Sequence, residues 1–177
     1  MQFETRSDNC PTAAPPILTS SYKHSIVKEN ITLGGAMFQR LLLASDGSRH
    51  AERAAQKAVH LVKELADAHL TILHVSAQMP AKHRLLETNF NVKELLEEQA
   101  REKLAGTLQV LGAEDVEYAL HTAVGDPAEE IVKAARENSM DLIIIGSRGL
   151  NTIGEVLLGS VSHAVAHDAH CPVMVVK

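Results

Sequence analysis

Four glycines, Gly146, Gly149, Gly154 and Gly159, stand between an apolar run, Leu142–Ile145, and an amphipathic segment opened by Ser160. Glycine within regular structure costs about 0.5–1 kcal/mol in folding entropy, so such a cluster calls for a reason. One reason is close approach. Successive backbone N–H groups form a concave anion site, and a helix N-terminus adds partial positive charge. Gly159–Ser160 is expected at such a terminus, which makes phosphate the natural guest. Ser160 and Ser162 add hydroxyl donors, and Arg148 adds a guanidinium at the side of the loop. A second turn, "ASDGS" (Ala44–Ser48), follows an earlier apolar run and carries Asp46.

The residue types also admit plainer roles. The glycines suit a loop-shaping function, Asp46 suits a helix N-cap or a turn, and Arg148 suits a solvated loop charge. Rival phosphate motifs fail on detail. Gly154-x4-Gly159-Ser160 has P-loop spacing but no lysine after the second glycine. No G-x-G-x-x-G follows the first strand, and no G-x-S-x-G nucleophile elbow occurs.

The elements that must position these residues alternate. Strands are expected at Arg40–Ala44, Leu70–Val75, Val116–Val124, "DLIIIGS" and "PVMVVK". Ser48 precedes a helical stripe of Ala51, Ala54, Ala55, Ala58, Val59, Val62 and Leu65. One long helix is expected on Val92, Leu95, Leu96, Gln99, Leu104, Leu108 and Leu111, with Gly112 as its C-cap. "GDPAEEIV" opens a third helix, with Asp126 at N-cap, Pro127 at N1 and Glu129 at capping-box spacing. The last helix runs from Ser160 to about His167. This order predicts an α/β fold, a single-domain, doubly wound, five-stranded parallel sheet with helices on both faces. Ligands of such sheets bind at the carboxyl ends of the strands, where the strand order reverses. If the first and fourth strands are neighbours, Asp46 and the glycine loop frame one crevice.

Composition narrows the rest. The chain has 177 residues, 45% of them hydrophobic but only 3% aromatic, so its core must be aliphatic. A formal charge of −5 without a basic cluster argues against nucleic-acid binding. No apolar stretch reaches the roughly 18 residues of a membrane span, and no signal pattern opens the chain. Two distant cysteines, Cys10 and Cys171, do not make a disulfide framework, which leaves a reducing cytoplasm as the expected location. Residues 1–36 are rich in Pro, Ser and Thr and are expected to be a disordered or loosely attached tail. Alternatively, Met37 is the natural start, with Gly34 and Gly35 encoded by a ribosome-binding site.

Gly146-x2-Gly149-x9-Gly159-Ser160 resembles the ATP-binding signature of the universal stress protein family. "LLLASDGS", "LHV", "GDPAEEIV", "LIIIGSRG" and "CPVMVV" fall in that family's order, so the likeness covers residues 37–177. The resemblance implies a Rossmann-like sheet of order 3-2-1-4-5. It implies that Asp46 and the backbone of Ala44 and Val75 hold adenine and ribose. Gly146 and Gly149 would pack on the ribose and first phosphates, beside Ile145 and Arg148. Gly159, Ser160, Val161 and Ser162 would cradle the outer phosphates of ATP, with Mg2+ neutralising them. It further implies a homodimer through Pro172–Val176 and a nucleotide-dependent regulatory role in stress adaptation, with an unidentified protein partner. No catalytic residue is nominated. Slow ATP hydrolysis or phosphoryl transfer lacks an evident general base and a loop lysine. A nucleotide-free dimeric scaffold is the third reading.

Histidines and cysteine invite other chemistry. His163, His167 and His170 are spaced four and three apart, which suits either a solvated helix end or a metal site; no metal ligand is nominated. Cys171 suits a buried filler or a reactive thiol, and His74 a core or crevice position.

Overall fold

Alternation within the central strands assigns side chains to two layers. The computed structural model describes residues 38–65, 67–79, 91–147 and 159–177. The readings that fall on residues 1–37, and on Arg148, Gly149 and Gly154, lie outside these. Strands β1 (Arg40–Ala44), β2 (His69–Ser76), β3 (Tyr118–Val124), β4 (Leu142–Gly146) and β5 (Val173–Val176) form one sheet in the order β3-β2-β1-β4-β5. Every neighbouring pair is parallel. Leu41, Leu43, Leu70, Ile72, Leu142 and Ile144 enter one buried cluster, whereas Leu42, Ala44, Leu73, Ile143 and Ile145 enter another. Such two-sided burial gives parallel strands their near-continuous aliphatic sequence.

Helix α1 (Arg49–Glu64) covers the first face with Ala51, Ala54, Ala55, Ala58 and Val59, all buried. Four alanines on that face let the helix backbone lie close to the sheet. Gly146 completes the fit, since a Cβ there would stand 2.6 Å from the His50 carbonyl carbon. Helices α4 (Pro127–Glu137) and α5 (Ser160–Asp168) cover the second face through Ile131, Ala135 and Val165. Asp126 caps α4 as expected, accepting from the Ala128 and Glu129 N–H groups at 2.9 and 3.2 Å.

The single long helix expected after residue 91 is instead two, α2 (Val92–Lys103) and α3 (Ala105–Ala113). They meet at Leu104, whose ψ is 11°. The i to i−4 bonds run through the junction, from Leu104 N–H to Ala100 and from Leu108 N–H to Leu104, each 2.8 Å. The axis therefore bends without breaking. The cause is packing: α2 lies on β3, whereas α3 lies on α1. Gly112 is not the C-cap but part of the last turn; Glu114 is the cap, and Asp115 takes φ 56°. Asp tolerates that left-handed region, and Val116 N–H closes the end on the Leu111 carbonyl at 3.1 Å.

Candidate functional site

The sheet order changes direction at β1. The chain steps outward from β1 to β2 and β3 on one side, then returns to β4 and β5 on the other. The carboxyl ends of β1 and β4 are adjacent, with Ala44 in register with Ile145. On the other side Ala44 is in register with Leu73, which places Val75 at the neighbouring strand end. Ala44, Asp46, Val75, Ile145 and Gly146 thus gather at one end of three adjacent strands. Helix α5 connects β4 to the parallel strand β5, so its N-terminus, Gly159–Ser160, lies toward the same end.

The turn after β1 is built in detail. Asp46 Oδ1 accepts from the Ser48 N–H at 3.0 Å, an Asx turn. Ser48 Oγ then caps α1 by accepting from the Ala51 N–H at 3.3 Å. Gly47 has φ 78°, and a Cβ there would stand 2.2 Å from the Lys103 carbonyl oxygen. Glycine is required at that position on both counts. Asp46 therefore has the turn role anticipated for it.

Behind this turn lies a buried polar group that the sequence reading did not assemble. His74, 3% exposed, donates from Nδ1 to the Ser45 carbonyl at 2.9 Å. Ser45 Oγ pairs with Thr107 Oγ1 of α3 at 2.9 Å. Burial holds the His74 imidazolium pKa below its ordinary value; the Ser45 carbonyl opposes this, and Lys103 adds to it. A signal was present in the sequence: Thr107 interrupts the apolar series Leu104, Leu108, Leu111.

Helix α5 begins differently. Its N-cap, Gly159, makes no side-chain capping bond. Gly159 has φ −60° and ψ 153°, which any residue adopts. Ser160 is exposed and Val161 half-buried in the second apolar cluster. Ser162 is buried and donates its hydroxyl hydrogen to the Gly159 carbonyl at 3.0 Å. Gly146 is in register with Val176 and packs on the α1 backbone. His163, His167 and His170 are exposed, and among the described residues no three His, Cys, Asp or Glu side chains are grouped to hold a metal. Cys171 is half-buried, and its burial raises the thiol pKa. Among the described residues no helix is long and apolar enough to cross a membrane.

Comparison with known proteins gives this arrangement a context. A family model described as the universal stress protein family matches residues 37–177. Universal stress protein YxiE of Bacillus subtilis is 36% identical over 156 residues, covering 80% of this chain and all of its own. The solved structure of MJ0577, a Methanocaldococcus jannaschii protein, is 34% identical with a TM-score of 0.58, over 80% of this chain and 96% of that one. A universal stress protein solved in complex with cAMP is 24% identical with a TM-score of 0.61, over 81% and 99%, and shows the same fold.

Proposed function

This chain belongs to the universal stress protein family, and from that premise we propose that it binds ATP as a regulatory ligand. The observation that carries the reading is the pairing at the reversal of strand order. A side-chain-capped turn bearing Asp46 ends β1, and a helix N-terminus whose capping residue is Gly159, with no side chain, follows β4. Asp46 and the backbone of Ala44 and Val75 take the adenosine, with Ile145 and Gly146 forming the wall beneath it. The first N–H groups of α5 and the Ser160 hydroxyl take the phosphates, as helix N-termini do. Ser162 tightens this end by closing on Gly159. The donor set suits a polyphosphate. Since the chain carries −5 overall, bound Mg2+ supplies the neutralising charge.

Gly159 supports the phosphate assignment, because its own dihedrals do not call for glycine. A glycine at a position without conformational need fits close approach of a ligand to the backbone. Arg148 and Gly149 belong to the proposed loop by the signature they complete. The protein works as a cytoplasmic homodimer joined through β5, the sheet-edge strand whose Val173, Met174 and Val175 are only half-buried. A ligand that binds only one state of the protein stabilises that state by about 2.7 kcal/mol at a hundredfold excess over Kd. That shift, beside the dimer strand, presents or withdraws a surface for a protein partner during stress. Translation starting at Met37 yields the family domain alone, and the N-terminal mass of the native protein tests this.

Calorimetric titration of nucleotide-free protein with Mg-ATP tests the ligand, with ADP, AMP and cAMP as comparators. A Gly159→Val variant runs beside it, its folding checked by circular dichroism. Binding in the wild type that is lost in a folded variant supports the reading. No heat in the wild type, together with no nucleotide in acid extracts of fresh protein, overturns it.

A further inference from the structure

The buried polar group behind the β1 turn has no role in the apolar core that a Val or Leu would not fill. Ser45, His74 and Thr107 are 5%, 3% and 0% exposed. No buried side-chain N or O among the described residues lacks a partner. The bonds converge on one residue. Ser45 N–H donates to the Leu73 carbonyl at 3.0 Å, its carbonyl accepts from His74, and its hydroxyl meets Thr107 and accepts from the Gly47 N–H at a long 3.5 Å. Ser45 immediately precedes Asp46. On the far side of Asp46, Gly47 is fixed against the Lys103 carbonyl where α2 ends. The two residues flanking Asp46 are thus held by β2, by α3 and by the end of α2.

We infer that Ser45, His74 and Thr107 are positioning residues of the nucleotide site, which lock from behind the turn that presents Asp46 to the adenosine. The inference rests on the nucleotide reading above and adds residues that touch no ligand. Its physical basis is register. A hydroxyl pair in an apolar surrounding has one satisfied geometry, and leaving it strands a buried donor or acceptor. An aliphatic core at the same place would pack nearly as well but would not specify the height of the turn above the sheet. The bend at Leu104 matters here too, because it brings α3, and Thr107 with it, alongside α1 and the turn that opens it.

Three variants of the full chain separate positioning from stability. Thr107→Val strands the Ser45 hydroxyl, so it lowers both the thermal midpoint and the affinity for Mg-ATP, the latter roughly three- to tenfold. Ser45→Ala combined with Thr107→Val removes both hydroxyls. It regains part of the midpoint, because no buried hydroxyl is left stranded and only the long 3.5 Å bond from the Gly47 N–H is lost with them, yet its affinity stays low because the turn is no longer tethered. Thr107→Ser keeps the hydroxyl and restores the affinity. Amide exchange at Ser48, whose N–H is held by the Asp46 carboxylate and not by the deleted hydroxyls, rises in nucleotide-free protein in the first two variants and not in the third. Recovery of wild-type affinity in the double variant along with its midpoint would overturn the inference, as would unchanged exchange at Ser48. If the wild type takes no nucleotide, the ATP reading falls by itself. The exchange measurement then decides alone whether these three residues fix the turn.

Discussion

Helices α1 and α5 both start at the carboxyl edge of the sheet, yet their first turns are finished in opposite ways. At α1 the Ser48 hydroxyl accepts from Ala51 N–H, and the Asp46 carboxylate accepts from Ser48 N–H. The turn's own side chains take up donors that a helix leaves unpaired. At α5 the capping position is glycine, which brings no side chain of its own to the first N–H groups. One end is closed by its own side chains; the other presents backbone N–H groups and the positive end of a helix dipole. A nucleotide needs both kinds of end, an acceptor for sugar hydroxyls and donors for phosphate.

The largest effect is expected from breaking the finished end. Gly47→Ala places a Cβ at φ 78° and 2.2 Å from the Lys103 carbonyl oxygen, which is backbone and cannot swing away. Left-handed strain and overpacking together predict a loss of about 3 kcal/mol. Urea unfolding that shows a lower midpoint with an unchanged slope would match this; a change below about 0.5 kcal/mol would mean the turn is looser than described.

The open end should respond in the opposite sense. Gly159→Asp supplies the missing cap at dihedrals that any residue adopts. Stability should change by only a few tenths of a kcal/mol, since glycine is already a fair N-cap. Mg-ATP affinity should fall at least about tenfold, or about 1.4 kcal/mol, because a carboxylate now occupies the donors and repels phosphate. A variant that folds and binds as well as the wild type would detach the phosphates from α5.

A matched pair of caps sharpens the contrast further. Ser48→Ala and Asp126→Ala each remove a side-chain cap seen in the structure, and each should cost about 1 kcal/mol in thermal or urea unfolding. Asp126 follows β3, at the sheet edge and away from the reversal of strand order. Its variant should leave nucleotide affinity at the wild-type value.

What was legible in the sequence follows the same division. Strand alternation and side-chain caps are local, and β1, the Asp126 cap and the alanine face of α1 were readable from spacing alone, although the cap of α1 is Ser48 and not Asp46. The order of the sheet came from the family likeness, because strand neighbours are not written in any local pattern. The bend at Leu104 was missed because a helical stripe runs unbroken through it; only the differing demands of β3 and α1 turn the axis there. The partners of His74 and Thr107 were hidden for a related reason. Ser45, His74 and Thr107 lie far apart in the chain, and their hydrogen bonds exist only after the sheet and α3 have met.

The smallest expected effect tests that hidden group through pH. His74 is held neutral by burial, its pKa lowered from 6.5. The unfolded chain therefore binds a proton near pH 6.5 that the folded chain refuses until lower pH. The contribution of neutral His74 to stability is complete above that pH and shrinks as pH falls below it. Lys103 adds to the refusal, and the Ser45 carbonyl, which accepts from Nδ1 in either protonation state, moderates it. Asn at position 74 keeps a donor for Ser45 but cannot titrate. The wild type should lose stability between pH 7.5 and 5.5 more steeply than His74→Asn, by an amount set by the shift. Parallel profiles would mean that His74 titrates in the folded protein as it does in the unfolded chain. The turn would then rest on Thr107 and Gly47 without an uncharged imidazole beneath it.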